Sequence, residues 1–128
     1  LESFALNPVM ETIKTDEAGK PVLNKGLPEK EEKKLGEFIF RRRTLRDEFK
    51  IGAEYSRLTE GIDTPSRGLS YISEATANIK VLLVAGPDGW DLEKLDPLDQ
   101  DTFTEITTIY KALQEREIFF RGERKRHS

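Results

Sequence analysis

Cysteine is absent from the 128 residues, and histidine occurs once, at His127. Without thiols there is no disulfide framework, thiolate zinc site, iron–sulfur cluster or cysteine nucleophile. A lone histidine one residue from the end excludes histidine triads and multi-histidine metal sites. The longest apolar run, Val81 to Ala85, has five residues, far short of the ~18 that span a membrane. No secretory signal is visible. Neither charge sign dominates: 21 Lys plus Arg stand against 24 Asp plus Glu, a net charge of −3, without the basic excess of a dedicated nucleic-acid binder. Gly86-Pro-Asp-Gly89 lacks the lysine and following Ser or Thr of a P-loop, and no Gly-x-Ser-x-Gly elbow occurs. These absences leave the expectation of a soluble, intracellular, non-enzymatic protein without cofactor or metal.

What is present suggests one domain with an unusual N-terminal third. Residues 14 to 37 hold three glycines, two prolines and twelve charges, and few side chains able to fill a core. Asp16-Glu-Ala-Gly19 reads as a turn between short strands near Val9–Ile13 and Pro21–Leu23. The Glu29–Lys34 cluster reads as a solvated loop or arm. Residues 1–36 are therefore expected to be a partly mobile strand and arm region.

Glu37-Phe-Ile-Phe-Arg-Arg-Arg43 alternates as a strand does, with Phe38 and Phe40 on one face and Ile39, Arg41 and Arg43 on the other. The arginines read as a protective charged edge or as a grip on phosphate or an acidic partner. Thr44 can cap a helix to about Thr59, with Asp47 in its first turn and Leu45, Phe49, Gly52 or Ala53, and Leu58 near helical spacing; Gly61 can end it. Ser66 can cap a second helix on which Leu69, Ile72, Ala75 or Thr76, Ile79, Leu82 and Leu83 recur, stopping before Gly86-Pro87. Trp90-Asp-Leu-Glu-Lys-Leu95 fits one short helical turn. A third helix follows Asp99 or Asp101, carries Phe103, Ile106, Ile109 or Tyr110, and Leu113, and runs to roughly Phe119. The expected fold is α+β and mostly helical: a short N-terminal β-hairpin or strand pair, then three main helices. Residues 37–120 would form the helical domain and residues 121–128 a fraying basic tail.

Six carboxylates between Asp88 and Asp101 lack the spacing, glycine and twelfth-position glutamate of a calcium loop; helix capping explains them. Trp90 can plug the core or anchor a partner. Ile118-Phe119-Phe120 can dock a partner or pack back on Phe38 and Phe40. No catalytic, cofactor or metal residue is identified. The candidate partner-binding residues are Ile79, Leu82, Leu83, Trp90, Tyr110, Phe119 and Phe120.

The order of pieces resembles one family. Arg42-Arg-Thr-Leu-Arg-Asp47 opens a helix, a second helix follows, then Trp90-Asp-Leu-Glu-Lys-Leu-Asp-Pro-Leu-Asp99 and a last helix around Tyr110-Lys-Ala-Leu-Gln-Glu115. This is similar to the tail assembly chaperones of long-tailed bacteriophages over roughly residues 37 to 120, with Arg43 where that family carries proline. The resemblance implies a non-enzymatic protein that coats the tape measure protein in the host cytoplasm and is later displaced. The family commonly also makes a longer, frameshifted form. The tail tube protein and a second copy of the chain are further candidate partners; nucleic acid and membrane are not expected. A helix-in-groove mode would use the faces carrying Leu69 to Leu83 and Phe103 to Leu113. The alternative is a structural or adaptor subunit retained in the tail or virion.

Overall fold

A computed structural model describes residues 2–96, 98–99 and 101–127, and the side chains of that set up to Glu123. Strand β1 (Ser3–Leu6) pairs antiparallel with β6 (Phe38–Arg41), from Ser3 opposite Arg41 to Leu6 opposite Phe38. The chain bends at Asn7-Pro8 and continues as β2 (Val9–Ile13), which pairs with β5 (Lys30–Lys34), from Val9 opposite Lys34 to Ile13 opposite Lys30. Two residues separate the paired segments on one strand and three on the other, so the ribbon slips by one residue at Leu35-Gly36-Glu37. Gly36 takes φ 105°, and a Cβ there would lie 2.6 Å from Pro87 Cγ. Only glycine suits both demands.

The far end of the ribbon is built from turns. Asp16 Oδ1 accepts from the amides of Ala18 and Lys20 at 2.9 Å, and Gly19 closes the turn with φ 80°. Strands β3 (Leu23–Asn24) and β4 (Leu27–Pro28) form a two-residue hairpin through Lys25 and Gly26, both with positive φ.

Thr44 caps α1 (Leu45–Leu58): its hydroxyl accepts from the Asp47 amide, and the Asp47 carboxylate accepts from the Thr44 amide, a reciprocal capping box. Ser66 caps α2 (Arg67–Leu82). The chain then becomes extended as β7 (Leu83–Ala85), the third strand beside β6. After a 3-10 turn at Leu92–Lys94 comes α3 (Thr102–His127). Helices α1 and α3 both pack on α2, and α3 also meets β2. The core joins Phe38, Phe40, Ala75, Ile79, Leu82, Ile109 and Leu113, all fully buried.

Several expectations are corrected. The chain is α+β, but its strands are spread over three antiparallel sheets and are not confined to an N-terminal hairpin. The charged Lys30–Lys34 run is a strand, because β2 satisfies its backbone while every side chain stays in solvent. Helix α2 ends at Leu82, where the chain turns extended and Leu83–Ala85 completes the sheet against β6. Helix α3 continues to His127 instead of stopping near Phe119. The side chains of the basic tail beyond Glu123, together with Pro97, Gln100 and Ser128, lie outside the described residues.

A candidate partner-binding groove

Helices α1 and α3 stand on either side of α2 and leave a groove of about 590 Å³ between them. Ile51, Gly52 and Tyr55 line it from α1, Ser70, Glu74 and Asn78 from α2, and Tyr110, Gln114 and Ile118 from α3. The α1 wall arises from an inverted helix face. Apolar spacing marks Leu45 and Phe49, yet these are 73% and 71% exposed, whereas Asp47 and Ile51 are buried. Asp47 goes inward because the Arg41 guanidinium donates to both its carboxylate oxygens at 3.0 and 3.1 Å. Arg41 also donates to the Val81 carbonyl at 2.7 Å. With that polar clasp inside, Leu45 and Phe49 are turned to solvent and are not among the groove-lining residues. Ile118, 63% exposed, stands on the α3 wall, and Phe103 lies two turns before Tyr110 on the same helix.

The polar floor is satisfied. Arg43 donates to Glu117 through Nε and Nη2 at 2.9 and 3.0 Å, to Glu48 at 2.9 Å and to Asn78 at 2.6 Å, so one side chain ties all three helices. Tyr110 donates its hydroxyl to Glu74 at 3.1 Å. Burial and then the adjacent Glu74 charge push the Tyr110 phenol up. Burial pushes the Asp47 carboxyl up, but hydrogen bonds from Arg41 and Thr44 outweigh it and hold the pKa down to about 2. The Arg57 hydrogen bond, opposed by burial and reinforced by Lys80, holds Glu54 at about 2. Burial lowers Arg43, but the Glu117 and Glu48 contacts raise it overall. Each of these shifts locks a group in its ordinary charge state at neutral pH, the reverse of what a general acid or base needs.

The expected partner residues separate. Ile79 and Leu82 are fully buried in the core, and half-buried Leu83 begins β7. Trp90 plugs the core edge-on to Phe38, 5.0 Å between centroids, its indole N–H directed at the Glu105 carboxylate at 3.4 Å. Tyr110 lines the groove. Phe119 is 54% exposed on another side of α3, near Leu6 and Ala112. Phe120 packs edge-on to Phe4, which stacks with Phe40. Sequence periodicity missed Leu45 and Phe49 as surface residues, Ile118 of the Ile118-Phe119-Phe120 segment is exposed, and the arginines of Arg41–Arg43 are neither an exposed edge nor equivalent. The acidic loop acts locally: Asp91, Asp96 and Asp99 each accept from an amide two residues on, at 2.9 to 3.0 Å. Among the described residues no group of three potential ligands is placed to hold a metal ion, and no helix is long and apolar enough to cross a membrane. No family model, curated protein or solved structure matches the chain.

Proposed function

We propose that this protein is a non-enzymatic tail assembly chaperone of a long-tailed phage, which holds helical segments of the tape measure protein in solution by seating them across the α1–α3 groove. The observation that carries the reading is an open groove with a satisfied polar floor and an exposed apolar side chain, Ile118, on its α3 wall. Such a groove accepts the apolar stripe of an amphipathic helix, with anchors spaced i, i+3 or i+4, and i+7. Its charged surroundings keep the free protein soluble and each contact moderate. Many copies along one long chain then give tight coverage that is still displaceable. The motif order Arg42-Arg-Thr-Leu-Arg-Asp47, Leu95-Asp-Pro-Leu-Asp99 and Ala112-Leu-Gln-Glu115 supports the same family. The working location is the host cytoplasm.

Co-expression with the tape measure protein of the same phage tests this. A soluble complex containing both chains is the expected result, with this chain absent from purified particles. An insoluble tape measure protein in its presence overturns the reading. The second reading, a structural or adaptor subunit, is favoured by the solvent-exposed ribbon, where Val9, Ile13, Leu23 and Leu27 are exposed. Recovery of the chain in purified particles supports it.

A further inference from the structure

Helix α1 carries a second face that the domain leaves uncovered. Leu45, Phe49, Gly52 and Ser56 follow steps of four, three and four residues, which set them in one stripe with Ala53 beside it. The stripe lies opposite buried Asp47 and Ile51, and all five of its residues are exposed, Phe49 at 71%. It holds no charge over that length. Its bulk is divided: Leu45 and Phe49 stand in the first half, Gly52, Ala53 and Ser56 in the second. Gly52 sits inside the helix with nothing within 4 Å of an added Cβ, so the single chain has no packing reason to carry a poor helix former there.

Charge divides the same way. Arg46 flanks the large end, and Glu60, just past the helix terminus, flanks the small end; both are exposed. Among the described residues neither has an ion-pair partner, and Glu60 reaches Arg57 only as a through-space charge. Of the neighbouring charges, Glu48 is paired with Arg43 and Arg57 with Glu54, while Lys50 lies farther round the cationic flank.

We propose that this stripe is the interface of a symmetric dimer, in which α1 of a second copy packs antiparallel on it. Antiparallel pairing sets Leu45 and Phe49 of each copy over Ser56, Ala53 and Gly52 of the other, large on small. It also brings each Arg46 to the other copy's Glu60. Parallel pairing opposes Phe49 to Phe49, Arg46 to Arg46 and Glu60 to Glu60, so bulk and charge both select the antiparallel arrangement. A pattern that complements itself end for end is what an isologous interface requires, and what a foreign helix does not. A single short helix pair is smaller than a standard specific interface, so the dimer is reversible, with a Kd on the order of 10–100 μM. The inference does not rest on the groove reading; of the stripe, only Gly52 also lines the groove.

Sedimentation equilibrium of the full chain alone, at low salt and from micromolar to millimolar concentration, tests this. A concentration-dependent dimer is expected. Phe49→Glu abolishes it, with an unchanged melting temperature in dilute solution, because Phe49 covers nothing in the single chain. Arg46→Glu and Glu60→Arg each raise the Kd about tenfold, by setting like charges together twice per dimer. An equimolar mixture of those two variants associates as the parent does, since their heterodimer holds two opposite pairs. The double variant does the same with itself. A chain that stays monomeric throughout overturns the inference. A dimer indifferent to Phe49→Glu and to both charge reversals overturns it by placing the contact elsewhere. A monomeric chain that loses tape measure fragments on Phe49→Glu overturns it by giving the stripe to that partner.

Discussion

Three consecutive arginines, the last residue of β6 and the two that follow it, take three different roles. Arg41 clasps Asp47 inside, Arg43 ties α1, α2 and α3 together, and Arg42 lies over the Phe120 ring with Glu2 and Glu123 as ion-pair partners. The clasps make stability acid-sensitive in a defined window. Asp47 and Glu54 are held at about 2 in the fold, below their usual 3.8 and 4.5. Between those values the unfolded chain binds more protons, so their stabilisation is full above the upper values and is lost as pH falls toward 2. Urea unfolding midpoints should therefore drop steeply from about pH 5 to about pH 2. Asp47→Asn should flatten part of that slope and cost roughly 2–4 kcal/mol at neutral pH, through the weakened cap and the lost Arg41 partner. An unchanged slope would remove Asp47 from the acid response.

Among the elements, α2 is the buried post and α3 carries the exposed apolar groove wall, and paired substitutions separate these roles. Ile79→Asp puts an unpaired charge at a fully buried position and should unfold the domain by circular dichroism. Ile118→Asp, at an exposed position on the groove wall, should leave the melting temperature almost unchanged and abolish partner binding; unfolding by the second variant would place Ile118 in the core. Gly36→Ala should destabilise by about 1–3 kcal/mol in chemical denaturation, because φ 105° and the approach of Pro87 both resist a side chain. The helix caps Thr44 and Ser66, the Phe38–Phe40 strand and the α2 stripe were legible in the sequence, since each is a local signal. Non-local partners were not. Apolar spacing put Leu45 and Phe49 on the marked face of α1, but the Arg41–Asp47 pair, six residues apart, rotates that helix outward. The Lys30–Lys34 strand was hidden because its side chains carry no alternation and only β2 specifies it.

At the scale of the molecule, a ribbon and a three-helix body offer two different surfaces. The body presents the groove with Ile118 exposed on its wall; the ribbon presents scattered apolar side chains on charged strands. The central claim is that the groove, and not the ribbon, receives the tape measure protein. The absence of cysteine allows a direct comparison, because a single introduced thiol carries an environment-sensitive fluorophore without background. Gln114→Cys places the label on the groove wall and Leu27→Cys places it at the ribbon tip. Titration with soluble fragments of the tape measure protein should shift and quench the Gln114 label, saturably, while the Leu27 label stays as in the free protein. A response confined to the Leu27 label would contradict the account.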